Sequence, residues 1–159
     1  MIDTVKNMPN VKLKIINNGV INLSDSRNLS KGKKIIIFGL PGAYTGTCSN
    51  EHLPGYIKLS DKFKKKGINE IYCMSVNDPY VLQAWQLSYK KGNKVIMIAD
   101  GNGDLTKALE LDEDRSDNFM GLRSKRFALI ADNNQIITLN IDEKGKYKVS
   151  AAEYILNQI

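Results

Sequence analysis

Cys48 closes the stretch Phe38-Gly-Leu-Pro-Gly-Ala-Tyr-Thr-Gly-Thr-Cys48, directly after an unbroken apolar run. That placement puts a lone thiol where a buried strand turns into a helix. The unpaired N–H groups of a helix start favour negative charge, and so favour thiolate over thiol. The spacing Pro41-x-x-x-Thr45-x-x-Cys48 adds two further parts. Pro41 would cover one side of the sulfur and keep out solvent and bulky electrophiles. The Thr45 hydroxyl, one turn back, could accept a hydrogen bond from a hydroperoxide or donate one to the thiolate. The chemistry these residues suit is a displacement on an O–O bond: the thiolate attacks the terminal oxygen, water or an alcohol leaves, and Cys48 becomes a sulfenic acid.

The elements that must hold these groups can be read along the chain. Val11–Ile16 and Val20–Leu23 read as strands turning at Asn17-Asn18-Gly19. Ile35–Phe38 has no polar alternation, as expected of a central strand covered on both faces. From Thr47 to Lys66 the pattern is helical, with Leu53, Tyr56, Leu59 or Ser60, and Phe63 on one side. Pro54 and Gly55 predict a kink or distorted first turn. A strand is expected at 70–76, and a helix from Asp78 as N-cap and Pro79 as first residue to about Tyr89. A further strand is expected at Val95–Ile98, a loop and helix cap at 100–104 and a short helix at 105–109. A hairpin at 127–131 and 135–141 and a last helix near 151–158 complete the series. This order predicts a thioredoxin-like α/β fold: a central mixed sheet flanked by helices, with additional N-terminal strands, as one domain over residues 1–159.

Bulk properties narrow the function. The chain has 159 residues, 42% hydrophobic content and a formal charge of +6, enough for one full core. Two cysteines are too few for a disulfide framework and suit a reducing compartment. With one histidine besides, they give no zinc-ligand spacing, and no metal, haem or flavin is expected. No stretch has the length needed to span a bilayer, and the first residues lack a signal-peptide core, so a soluble, cytoplasmic protein is expected. An organellar location would require a removed transit peptide. The basic run Lys62-Phe-Lys-Lys-Lys66 reads as the solvated end of a helix, and Asp112-Glu-Asp-Arg115 as a solvated loop. Neither points to nucleic acid, and no membrane partner is expected. His52 reads as a residue that shapes the site or bonds locally rather than a general base. Trp85, with Tyr80 and Leu82, reads as packing or interface.

Leu40-Pro-Gly-Ala-Tyr-Thr-Gly-Thr-Cys-Ser49, His52-Leu-Pro-Gly55, Ser75-Val-Asn-Asp78, Ala84-Trp85 and Arg123-Ser-Lys-Arg-Phe127 together resemble the peroxiredoxin-5, or type II peroxiredoxin, subfamily. The resemblance runs from about residue 8 to the end of the chain. It implies a thiol-dependent peroxidase for hydrogen peroxide and small organic hydroperoxides, regenerated by glutaredoxin with glutathione or by thioredoxin. It also implies a homodimer whose contact borders the Trp85 helix and the loop near Met120. It assigns to Arg126, ahead of Arg123, the arginine that bonds both sulfur and peroxide, and it completes the substrate site with backbone N–H groups around Gly46 and Thr47. Gly46 departs from the proline that many members carry there. Cys73 matches the second cysteine of plant and bacterial members, and either it resolves Cys48 or an outside thiol does. The vertebrate resolving position, within Tyr147-Lys-Val-Ser150, holds no cysteine. The competing expectation is a redox-responsive binding protein, oxidised at Cys48 without efficient turnover. A thioredoxin-type dithiol enzyme is disfavoured for want of Cys-x-x-Cys.

Overall fold

The computed structural model describes residues 6–159, so the reading of the extreme N-terminus as lacking a signal peptide lies outside them. In chain order the elements are β1 (Lys12–Asn17), β2 (Val20–Asp25), β3 (Lys34–Gly39), a wide π-type turn (Cys48–His52), α1 (Leu53–Lys65), β4 (Glu70–Ser75), α2 (Pro79–Leu87), β5 (Ile96–Ala99), α3 (Asp104–Ala108), β6 (Asp112–Asp114), β7 (Leu122–Ser124), β8 (Phe127–Asp132), β9 (Gln135–Ile141) and α4 (Ala152–Gln158). Seven strands form one sheet in the order β2-β1-β5-β4-β3-β8-β9. The β3–β4 and β4–β5 pairs are parallel, and the others in this sheet are antiparallel. This is a thioredoxin-like α/β architecture with two added N-terminal strands at one edge.

Strand alternation builds two cores, one on each face of the sheet. Ile36 and Phe38 of β3 and Ile71 and Cys73 of β4 pack with Leu53, Tyr56 and Phe63 of α1, Leu82 and Trp85 of α2 and Ile155 of α4. Ile35, Ile37, Tyr72 and Met74 point the other way, against Leu105 of α3, Leu109, Leu111, Phe127 and Leu129. The uninterrupted apolar β3 is thereby explained: five of its six residues are buried. Cys48 belongs to the α1–α2–α4 side, as does Cys73.

Three local devices set the frame of the site. Pro54 stands in the first turn of α1, and the chain upstream widens into the π-type turn carrying Cys48, the distortion expected of Pro54-Gly55. Asp78 caps α2, its carboxylate accepting from the N–H groups of Tyr80 (2.8 Å) and Val81 (3.0 Å). Gly39 pairs with Phe127, and a Cβ on it would lie 2.0 Å from that ring, so only glycine lets β8 start this close to the end of β3.

The reading of Asp112–Arg115 as a loop needs correction, although Asp112 and Asp114 are exposed as expected. Asp112–Asp114 is β6, paired antiparallel with β7. The Glu113 carboxylate accepts from Arg115 Nε at 2.7 Å, with side-chain exposures of only 12% and 19%. A three-residue acidic strand carries too little apolar signal to be seen in sequence; pairing with β7 and burial of the ion pair stabilise it. Helix α2 ends at Leu87 rather than Tyr89, and the remaining boundaries shift by a residue or two.

Candidate active site

Cys48 sits at the C-terminal end of β3, past a loop that has to be held open for it. Asn77 does part of this: its Oδ1 accepts from the Ala43 N–H at 3.0 Å and from Ser75 Oγ at 2.9 Å. Arg123 does another part, its Nη1 donating to the Pro41 carbonyl at 3.1 Å and its Nε to the Met120 carbonyl at 2.9 Å. That approach requires Gly42, since a Cβ there would lie 2.5 Å from Arg123 Nη1. Tyr44, in the left-handed region at φ 63°, turns the chain into the helix, its ring 6.4 Å from Trp85. Helix α2 and the turn after it grip the far side of the thiol: Trp85 Nε1 donates to Ser49 Oγ at 3.1 Å and the hydroxyl of Tyr89, just past the helix, to the Ser49 carbonyl at 2.6 Å. Trp85 is fully buried, which makes it packing rather than a surface contact.

The thiol is buried, with 1% of the residue exposed. Arg126 Nη2 donates to Cys48 Sγ at 3.2 Å. Its other prong, Nη1, reaches His52 Nδ1 at 2.9 Å, and His52 Nε2 meets the Ser150 carbonyl at 3.2 Å. Both ends dictate the imidazole tautomer: a guanidinium can only donate and a carbonyl can only accept, so Nδ1 is bare and Nε2 carries the hydrogen. Burial, then the Arg126 charge, lower the His52 pKa to about 3, while the bond to Ser150 works the other way. His52 is therefore neutral at physiological pH and orients the arginine rather than moving protons. Tyr147 completes the surround, its ring 5.9 Å below the Arg126 guanidinium carbon and 5.2 Å from the His52 ring.

Thr45 Oγ1 donates to the Gly42 carbonyl at 2.7 Å, so its hydrogen is committed and its lone pairs remain to accept. Pro41, Thr45, Gly46, Thr47 and Arg126 line a cleft of about 320 Å³, closed further by Met120, Tyr147 and residues 142–146. The residues singled out in the sequence thus converge, with Arg126 on the sulfur and Arg123 on the loop behind it.

Cys73 does not join them. It lies in β4 between Phe38 and Met97 of the neighbouring strands and is 1% exposed. Burial pushes its pKa well above the usual thiol value, Cys48 adds to this, and Arg126 opposes it. Asn77 and Tyr147 were given no site role from sequence, and Arg123 was weighed only as the lesser alternative to Arg126; Asn77 and Arg123 lie in segments that carried the resemblance, and Tyr147 does not. For Asn77 the available signal was a side-chain amide between a strand end and a helix cap.

A thioredoxin-like sheet presenting one thiol at a helix start beneath a guanidinium defines the class of thiol-dependent peroxidases. Comparison with known proteins gives the same class independently. The redoxin family model matches residues 4–156. Peroxiredoxin-2C of Oryza sativa subsp. japonica is 48% identical over 131 residues, covering 82% of this chain and 81% of that protein. Reduced Prx3 from Vibrio vulnificus in complex with hydrogen peroxide superposes with a TM-score of 0.90 at 40% identity, covering 96% of each chain. Peroxiredoxin 5 from Alvinella pompejana gives a TM-score of 0.82 at 30% identity, covering 95% of this chain and 93% of the other. The chain belongs to the redoxin family and, within it, to the type II, peroxiredoxin-5-like peroxiredoxins. It is an enzyme, a thiol peroxidase.

Proposed function

We propose that Cys48 is the peroxidatic thiol, served by Arg126, Thr45 and Pro41 and by the backbone N–H groups of the turn through Gly46 and Thr47. The observation that carries this is the 3.2 Å bond from Arg126 Nη2 to Cys48 Sγ, at a helix start one turn from Thr45. In the reaction, the Thr45 hydroxyl oxygen accepts the hydrogen of the hydroperoxide. Arg126 and the helix-start N–H groups hold the O–O bond in line and stabilise charge as it builds on the leaving oxygen. The sulfur–oxygen bond forms as the O–O bond breaks; the departing alkoxide or hydroxide takes a proton, and Cys48 is left as a sulfenic acid. The substrates are hydrogen peroxide and small organic hydroperoxides, which suit the modest cleft.

Regeneration is assigned to an outside thiol. That thiol attacks the sulfenic sulfur, expelling water and leaving a mixed disulfide; a second thiol then releases reduced Cys48 and the oxidised reductant. Glutaredoxin with glutathione, or thioredoxin, is the proposed donor. Cys73 is set aside because a strand-centre thiol between two hydrogen-bonded neighbours reaches Cys48 only if the sheet or the helix start opens. The enzyme is further proposed to act in the cytoplasm, where its two free cysteines remain reduced, as a single domain that forms a homodimer. Tyr80 of α2 at 74% exposure and Phe119, next to the cleft residue Met120, at 99% support the dimer. Phe119→Asp and Tyr80→Asp should shift the sedimentation coefficient toward the monomer. Cys48→Ser should abolish peroxide consumption with excess thiol and glutaredoxin; retained turnover would remove this assignment.

A further inference from the structure

The loop after β9 contains a buried carboxylate that the peroxidase chemistry above does not use. Asp142 directly follows β9, and its backbone N–H donates to the Arg126 carbonyl at 2.9 Å, because the β8–β9 register sets residue 142 opposite residue 126. Its side chain turns into the following loop. Oδ1 accepts from the N–H groups of Val149 (2.7 Å) and Lys148 (3.1 Å), and Oδ2 from the Ser150 hydroxyl and, at 3.4 Å, the Ser150 N–H. Four bonds on one carboxylate fix the peptide at 148–150. The Ser150 carbonyl, so fixed, accepts from two side chains at once, the hydroxyl of the core residue Tyr56 at 2.7 Å and His52 Nε2 at 3.2 Å. His52 passes the constraint to Arg126 Nη1, and Arg126 Nη2 lies on the sulfur.

The circuit closes on itself. Asp142 holds the backbone of Arg126 directly and its guanidinium by way of Ser150 and His52. Every link is a donor meeting an acceptor with no alternative assignment, so the loop position determines the ring position and the ring position determines the arginine. His52 stays neutral through the working pH range, so the link is not interrupted by protonation. The same loop carries Tyr147, whose hydroxyl donates to the Glu51 carbonyl at 3.3 Å and whose ring lies under the guanidinium.

We propose that Asp142 is a positioning residue for the peroxide step: by clamping residues 148–150 it sets the Ser150 carbonyl, and through His52 holds the Arg126 guanidinium on Cys48. This rests on the roles assigned above to Cys48 and Arg126. Asp142→Asn keeps the shape but replaces an accepting oxygen with an amide nitrogen that cannot accept from Ser150. A misaimed arginine should slow the reaction of reduced enzyme with hydrogen peroxide by about 10- to 100-fold. The thiol half-reaction, which does not need Arg126 on an O–O bond, should keep its kcat/KM for the reductant, and alkylation of Cys48 by iodoacetamide should change far less than the peroxide rate. His52→Phe, which keeps a ring against Phe38, Tyr56 and Tyr147 but breaks the chain, should lower the peroxide rate similarly. The double variant should be no slower than His52→Phe alone.

A wild-type peroxide rate in Asp142→Asn, losses that add in the double variant, or equal slowing of both half-reactions would overturn the proposal. Should Asp142→Asn not fold, Ser150→Ala carries the test, since it removes only the hydroxyl bond to the carboxylate. A smaller loss confined to the peroxide step supports the relay, and a wild-type rate overturns it. Wild-type enzyme run alongside separates the two readings: if it consumes no peroxide, the assignment of Cys48 and Arg126 fails before the relay is reached.

Discussion

Replacing Arg126 with glutamine exposes the core of the mechanism. The guanidinium has two jobs, Nη2 on Cys48 Sγ at 3.2 Å and Nη1 on His52 Nδ1 at 2.9 Å. Glutamine is shorter and neutral, so it can replace neither the charge nor the fork. Losing one preorganised donor at a developing oxyanion costs about 2.7–4 kcal/mol, roughly 10²–10³ in rate. On the stability side, a buried imidazole nitrogen loses its donor, worth about 1–3 kcal/mol. In a domain of this size each kcal/mol lowers Tm by roughly 2–4 °C, so the variant remains folded at 25 °C. The assay is stopped-flow tryptophan fluorescence on mixing reduced enzyme with hydrogen peroxide. Trp85 is the single tryptophan and its Nε1 bonds the Ser49 hydroxyl, one residue from the reacting sulfur. A folded Arg126→Gln that reacts within a few-fold of wild type would refute the reasoning, because the 3.2 Å contact would then contribute nothing to the transition state.

Other outcomes follow from the same geometry. Thr45→Val is isosteric and removes the acceptor aimed at the peroxide along with the bond to the Gly42 carbonyl; it should slow the peroxide step by roughly 10²-fold with kcat/KM for the thiol unchanged. Cys73→Ala should keep peroxide turnover with glutaredoxin or thioredoxin at the wild-type level, whereas loss of turnover in a folded variant would make Cys73 the resolving thiol. Stability should also carry the signature of His52. Its folded pKa of about 3 lies below the unfolded 6.5, so the unfolded chain binds the extra proton between these values. The contribution is complete above pH 6.5 and is lost as pH falls toward 3, up to roughly 5 kcal/mol in all. Urea denaturation at pH 7 and pH 4 should show a smaller difference in His52→Phe than in wild type; equal differences would contradict the buried neutral imidazole.

Much of this was legible in the sequence, for identifiable physical reasons. Ile35–Phe38 read as a strand covered on both faces and Asp78-Pro79 as a helix start, so the thioredoxin-like fold class and the place of Cys48 at a strand-to-helix turn followed. Pro54-Gly55 announced the distorted turn that holds the thiol. The arginine was named from resemblance rather than derived, because nothing local to Arg126 says that β8 will start beside β3; Gly39 opposite Phe127 is what makes that approach possible. What stayed hidden was long-range and polar. Asn77 holds Ala43, Arg123 holds Pro41, and Asp142 holds Ser150, across separations in sequence that no periodicity encodes. The stretch at 112–115 read as a solvated loop because its strand form depends on pairing with β7; Asp112 and Asp114 are exposed, and only Glu113 is shielded, with Arg115.

The central claim is that Cys48 is the atom that meets the peroxide. Its most direct test is the intact mass of reduced protein after one equivalent of hydrogen peroxide, with and without a sulfenic-acid trap, in wild type and Cys73→Ala. Trapped adduct on Cys48 in both proteins is the predicted result. No change within minutes, or an adduct that maps elsewhere, would contradict the account.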